Sequence, residues 1–231
     1  MPTPDPRPLP EPGGLIFDLD GTLVDTVGAR IAGWIQALEK AGFEAGADEI
    51  GPKIGMDGKR LAREVAATHG KELDEHAVEA ADKSAGAVFD ELNRSPRPLP
   101  GVDQLLSWIR AAGLPWVIAT SSRREQVTAS VGSLGLEEPP EIVDGSHVEH
   151  AKPAPDLLLV AGERLGIPPQ RCWSIGDSTW DMRATVAAGM TAIGVTVGSA
   201  VDAAALREAG ASEVVATLGE LVGLLEAARA R

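Results

Sequence analysis

Short apolar runs at 15–17, 115–119, 141–143, 172–175 and 191–195, with a weaker one at 213–215, alternate with segments of helical period. The runs are apolar throughout rather than alternately apolar and polar, which suits strands covered on both faces. Between and after them, 102–112, 125–134, 154–165, 181–188, 203–209 and 218–230 carry helical patterns. Strand then helix, repeated, predicts an α/β fold built on a doubly wound parallel sheet.

One interval breaks the alternation. Roughly ninety residues separate the first two runs and contain no convincing strand. Ile31, Trp34, Ile35 and Leu38 fall at i, i+3, i+4 and i+7, the mark of an amphipathic helix. Leu61, Val65 and Thr68 suggest a second helix; Leu73, Ala77, Ala81, Ala85, Val88 and Leu92 make the stripe of a third. A helical insert between two strands predicts a small second domain over the strand ends. Its hinges lie near Asp25-Thr26 and across 95–101, where alternating prolines stiffen the crossing. The expected division is a Pro-rich tail at 1–13, an α/β core at 14–25 and 98–231, and a helical unit at 26–97. In the tail, Pro2, Pro4, Pro6, Pro8, Pro10 and Pro12 fix φ and remove donors, so an extended or disordered segment is expected.

Composition narrows the partners. With 21 Lys+Arg against 34 Asp+Glu, the net charge of −13 argues against nucleic acid or an anionic membrane, either of which asks for a basic footprint. The single cysteine, Cys172, excludes a disulfide framework and any multi-cysteine metal site. No apolar run approaches the ~18 residues of a membrane span, and no basic-then-apolar leader opens the chain. The expectation is a cytoplasmic protein.

Ligands of open α/β sheets bind at the carboxyl ends of the strands, so the polar residues that follow each run matter most. They are Asp18-Leu19-Asp20-Gly21-Thr22, then Thr120-Ser121-Ser122, then Lys152-Pro153 ahead of a helix, then Gly176-Asp177-Ser178-Thr179-Trp180-Asp181. One rim thus gathers four carboxylates, an ammonium and several hydroxyls. Carboxylates crowded together repel unless a divalent cation sits among them, and an all-oxygen set suits Mg²⁺ with a substrate phosphate. Lys152, the Thr120 hydroxyl and backbone N–H groups of the 18–20 turn could hold the other phosphate oxygens, with Gly21 letting the backbone approach. A carboxylate facing phosphorus can act as nucleophile, and its neighbour two residues on can protonate the leaving oxygen and then activate water.

These segments, in this order, resemble the four motifs of the haloacid dehalogenase-like hydrolase superfamily, over essentially the whole chain from about Gly14. The resemblance implies a Rossmann-like core with an inserted all-helical cap domain that closes over small substrates and excludes water. It implies Asp18 as nucleophile, Asp20 as general acid/base, and Thr120 and Lys152 as stabilisers of phosphate and nucleophile. It also implies Mg²⁺ held by Asp18, the Asp20 backbone carbonyl and Asp177, with Asp181 as a supporting carboxylate. Ser121, Leu19 and Gly21, and Lys59 and Arg60 of the cap, are candidate substrate contacts. The dehalogenases of the superfamily lack the second Asp of the first motif. β-Phosphoglucomutase-like mutases commonly have an aliphatic residue where Thr22 stands and a Ser-Arg pair in the cap loop. The loop here, Ile54-Gly55-Met56-Asp57-Gly58-Lys59-Arg60, is nearer that of phosphoglycolate phosphatase-like hydrolases. The expected function is a Mg²⁺-dependent phosphatase acting on a small phosphorylated metabolite; the alternatives are such a mutase or a non-catalytic phosphate-sensing protein. A dinucleotide-binding fold is excluded sooner, because no G-x-G-x-x-G follows the first run.

Other residues admit plainer readings. Asp25 is expected to cap the first cap helix, and Arg123 and Arg124 to begin a helix as solvated charges. His147 and His150, three apart, are too few for zinc. Cys172 reads as core, and Trp180 as packing under the motif loop.

Overall fold

The computed structural model describes residues 9–122, 124–138 and 140–230. Arg123 and most of the Pro-rich tail therefore lie outside the described residues. Six parallel strands form one sheet: β1 (Gly14–Phe17), β2 (Trp116–Ala119), β3 (Ile142–Val143), β4 (Cys172–Gly176), β5 (Thr191–Val195) and β6 (Glu213–Val215), in spatial order β3-β2-β1-β4-β5-β6. Each strand falls on one of the apolar runs. Ile16 of β1 lies opposite Val117 on one side and Ser174 on the other. The strand order grows outward in both directions from β1 and β4, which puts the ligand crevice of such a sheet at their carboxyl ends.

Between β1 and β2 come α1 (Val27–Lys40), α2 (Ala47–Ile50), α3 (Gly58–Thr68) and α4 (Glu75–Leu92). The rest of the chain supplies α5 (Val102–Ala112), α6 (Arg124–Ser133), α7 (Asp156–Leu165), α8 (Thr179–Ala187), α9 (Ala203–Glu208) and α10 (Leu218–Arg229). On one face of the sheet, Leu15, Phe17, Ile118 and Ile175 pack under α5 and α10. On the other, Ile16, Val117 and Ala119 pack under α7 and α8. Leu15, Ile16 and Phe17 are all fully buried, which is why their run shows no polar alternation.

The cap has its own core of Trp34, Leu38, Leu61, Val65, Val78, Ala81 and Ala85. Asp57 and Asp74 cap α3 and α4 by accepting from the backbone N–H of Arg60 and Ala77, each worth about 1 kcal/mol. The stripe expected on α4 is rotated. Val78, Ala81, Ala85 and Phe89 are buried, whereas Leu92 is 51% exposed. The reason is a close helix crossing: a Cβ on Gly33 of α1 would meet the Ala85 carbonyl at 2.8 Å. That approach turns Phe89, rather than Leu92, toward α1. Helix α2 is too short to show a period and was not expected.

The two crossings into the cap run antiparallel and bond to each other, Asp25 N–H to the Arg97 carbonyl at 2.9 Å and Leu99 N–H to the Leu23 carbonyl at 2.9 Å. Asp25 is exposed and does not cap α1; Thr26 occupies that position. The tail also departs from expectation at its inner end. From Leu9 onward it is docked: Leu9 packs on the core, Pro12 is buried, and the Trp173 indole N–H donates to the Pro10 carbonyl at 3.0 Å. A core indole needs an acceptor, and a proline carbonyl supplies one. No helix among the described residues is long and apolar enough to cross a membrane.

Candidate active site

The end of β1 delivers Asp18 and Asp20 to the rim, and the end of β4 delivers Asp177. What lets these loops meet is Gly21, at φ 84°, where a Cβ would come within 2.4 Å of Asp177 Oδ2. Only glycine tolerates both the conformation and the approach. Thr22 Oγ1 donates to Asp177 Oδ1 at 3.0 Å. Ser178 opens α8 as its N-cap in a reciprocal pair with Asp181: Ser178 Oγ donates to Asp181 Oδ2 at 2.5 Å and accepts from Asp181 N–H at 3.1 Å. The cap thereby fixes the Asp181 side chain, leaving Oδ1 to face the rim.

Lys152, joined to Pro153 by a cis peptide, is 2% exposed. Its Nζ lies 2.6 Å from Asp18 Oδ1 and 2.6 Å from Asp181 Oδ1, and donates at 3.4 Å to the Ala119 carbonyl. Asp18, Asp177 and Asp181 each present an oxygen within 4.8 Å of the others. Burial pushes the Asp18 carboxyl up to about 7, with the Asp181 and Asp20 charges adding to the rise against the pull of Lys152. Asp177 is raised well above the usual carboxylate range, first by burial and then by Asp181 and Asp18. Lys152 moves upward because its two carboxylate partners outweigh its burial. A buried cluster of three hard oxygen donors, short of positive charge, fits a divalent cation such as Mg²⁺.

Asp20 is handled separately. Its carboxylate is outside the three-oxygen cluster among the described residues. Oδ1 accepts from Thr26 Oγ1 at 2.7 Å; Oδ2 accepts from Arg30 Nη2 at 3.0 Å and from Ser122 Oγ. Burial alone would raise its pKa, but the Arg30 charge and these hydrogen bonds hold it below the usual value.

These groups line a cavity of about 1040 Å³ between core and cap. Thr120 is buried at its wall, its Oγ1 accepting from the Ser122 N–H at 3.1 Å. Ser121 Oγ is buried with no hydrogen-bond partner among the described residues. From the cap come Arg60, Met56 and Phe89. The cap loop touches the core directly: a Cβ on Gly55 would sit 2.6 Å from Ser178 Oγ, and the Trp180 indole donates to the Pro52 carbonyl at 3.0 Å. Trp180 thus packs with the cap's core rather than under its own loop.

Three candidate contacts fall elsewhere, Gly21 among them: it is off the cavity wall, packed against Asp177. Lys59 is not on the cavity wall; it points to Glu79 at 3.5 Å, because one step along α3 turns it away from Arg60. The Leu19 side chain is fully buried in the core, so only its backbone is left to meet a ligand. His147 closes a capping box on Asp144, and His150 meets Asp156 at 3.0 Å, so the two do not converge. Ser122 is on the rim segment the sequence points to, but its role as a partner of Asp20 is not readable there; Arg30 escapes sequence reasoning, its only signal being a long cation one turn into the cap's first helix.

The family model described as haloacid dehalogenase-like hydrolase matches residues 15–195. The chain belongs to that family. It is 34% identical over 186 residues to the fructose-1-phosphate phosphatase YqaB of Escherichia coli K12, covering 79% of this chain and 95% of the relative. It is 31% identical over 208 residues to a phosphoglycolate phosphatase of the same organism, covering 80% and 81%. A crystal structure of a hydrolase from Pseudomonas syringae superposes with a TM-score of 0.87 at 32% identity, over 93% of this chain and 98% of that one.

Proposed function

We propose that the protein is a Mg²⁺-dependent phosphatase of small phosphomonoesters, sugar phosphates or phosphoglycolate among them, working through a phospho-Asp18 intermediate. The observation that carries this reading is the Lys152 ammonium held between Asp18 and Asp181 beside Asp177. The phosphatase names of the relatives at 34% and 31% identity point the same way.

In this reading Asp18, the Asp20 carbonyl and Asp177 would hold the cation, with Asp181 behind them. When bound, the cation would supply positive charge against the phosphate and would favour the ionised form of the Asp18 carboxyl. Lys152, Thr120 and the Ser121 hydroxyl, which has no partner among the described residues, orient the phosphoryl oxygens. Lys152 also aims Asp18 Oδ1. An Asp18 oxygen attacks phosphorus and the ester oxygen leaves with a proton passed through Asp20. Asp20 rests ionised, so that proton arrives with the substrate, as the phosphate monoanion carries one. In the second half, Asp20 takes a proton from water as the water oxygen attacks the phosphoaspartate, Asp18 is released, and Asp20 hands that proton to the departing inorganic phosphate and is ionised again. The cap keeps bulk water from the first half.

Phosphate release from a panel of phosphorylated metabolites, with Mg²⁺ and with EDTA, tests this. Release from a small group of compounds, abolished by EDTA, is expected. No release from any compound, p-nitrophenyl phosphate included, would move weight to a phosphate-sensing role.

The pH dependence of metal binding follows from the raised carboxyls. The Asp18 carboxyl, at about 7, holds its proton below neutrality, so the cation must displace it there. Between about pH 7 and pH 5.5 the Mg²⁺ concentration for half-saturation is expected to rise about tenfold per unit for each proton displaced. The metal-free fold moves the other way. A raised carboxyl binds more protons folded than unfolded, so stability falls as pH climbs from about 4 to about 7. Titration of tryptophan fluorescence with Mg²⁺ and melting curves in EDTA read the two effects; a pH-independent affinity would contradict the first.

A further inference from the structure

We infer that Arg30 is a positioning residue for Asp20, tying the orientation of the acid/base carboxylate to the seating of the cap. This rests on the phosphatase reading above. Arg30 belongs to α1 of the cap, yet its guanidinium reaches onto the core. Nη2 donates to Asp20 Oδ2 at 3.0 Å and to Ser122 Oγ at 2.6 Å, and Nη1 donates to Gln126 Oε1 at 3.3 Å. Its other side lies on the Phe89 ring, 3.6 Å from the centroid, so its plane is clamped by α4. Ser122 Oγ bonds Asp20 Oδ2 as well, closing a three-way junction of β1 loop, β2 loop and cap.

The geometry divides the labour between two cations. Lys152, from the core, governs Asp18; Arg30, from the cap, governs Asp20. A carboxylate gripped on Oδ2 by Arg30 and Ser122, and on Oδ1 by Thr26, has its torsion fixed by residues on both sides of the domain boundary. If the cap lifts, Arg30 leaves with α1, and Asp20 keeps only the Thr26 and Ser122 bonds. Proton transfer is then aligned only when the cap is seated, which is when the cavity is shielded from water. Among the described residues Arg30 makes no hydrogen bond or ion pair to Asp18, Asp177 or Asp181; its carboxylate partner at the site is Asp20, and it acts through that group.

The test compares an alkyl phosphate with p-nitrophenyl phosphate, whose leaving oxygen needs little help from an acid. General acid catalysis is worth about 10²–10⁴-fold, and misplacing a catalytic group by an ångström costs about 10²-fold. Arg30→Met is expected to lower kcat on the alkyl ester by about 10–100-fold and on the aryl ester at least about tenfold less, with KM changing little. Arg30→Lys, which keeps charge but not the fork, should recover part of the alkyl rate. In an Asp20→Asn background, Arg30→Met should add almost nothing to the alkyl–aryl difference, since the group it positions is gone. Equal losses on the two esters, or full additivity with Asp20→Asn, would overturn the inference while leaving the phosphatase reading intact. A wild-type enzyme with no release from either ester would sink that reading instead. Should Arg30→Met fail to fold, Ser122→Ala carries the same comparison, as it removes the junction's other donor.

Discussion

In an Asp18→Asn variant, phosphate release from the best substrate should fall by at least about 10⁴-fold, the scale of losing a covalent nucleophile, while the melting temperature stays within a few degrees of wild type. Asparagine has the size of aspartate and keeps an oxygen that can accept from Lys152. It offers no charged oxygen to attack phosphorus. The fold tolerates the change for two reasons. Lys152 retains Asp181 at 2.6 Å as its counter-charge. Moreover, the Asp18 carboxyl is pushed to about 7 by burial, so ionising it near pH 8 costs stability that the amide does not lose. Release at a rate within about tenfold of wild type would remove Asp18 from the mechanism; the measurement is steady-state phosphate release beside a thermal melt. Asp18→Ala should behave alike in activity, which separates the missing nucleophile from any property of the amide.

Much of this was legible before the fold was in hand, and the reason is topological. A strand of a parallel sheet is buried on both faces, so 15–17 and 172–175 stand out as continuous apolar runs, and whatever polar residue comes next sits on the shared rim. That argument finds Asp18, Thr120 and Asp177 with no knowledge of side-chain geometry. Leu19 could have been placed too: between Asp18 and Asp20, it turns inward where they turn outward. Arg30 could not. Its reach depends on how α1 is set above the strand ends, and the close Gly33–Ala85 crossing and the hydrogen-bonded hinge at Val24 and Pro98 bear on that. No periodicity records such a crossing. The same limit explains Lys59 and Arg60, adjacent in sequence but separated by a helical step, so that one faces Glu79 and the other the cavity and the Trp180 ring at 5.0 Å. For the tail, proline spacing correctly disfavours regular structure but says nothing about an acceptor-seeking indole at Trp173.

Lys152→Met should be the most destabilising single change in the site. The side chain is 2% exposed and lies between two carboxylates, each at 2.6 Å. Methionine fills a comparable volume, so packing is largely kept and the loss is electrostatic. Breaking a buried pair by removing one partner costs about 3–5 kcal/mol, which for a chain of this size lowers the melting temperature by roughly 6–20 °C. The deficit has a pH signature. In the wild type Lys152 pulls the Asp18 carboxyl down against its burial; without the ammonium that carboxyl rises further, and the folded variant binds a proton that the folded wild type does not. The gap between the two proteins is therefore greatest at about pH 8 and narrows toward pH 5.5, where the Asp18 carboxyl is protonated and no longer needs a counter-charge. Mg²⁺ should recover part of the melting temperature at pH 8, because a cation at Asp18 and Asp177 replaces some of the missing charge, yet it should not recover turnover, since nothing then aims Asp18 Oδ1 at phosphorus. A deficit equal at both pH values would mean that Lys152 stabilises the fold by packing its methylene stem rather than by charge.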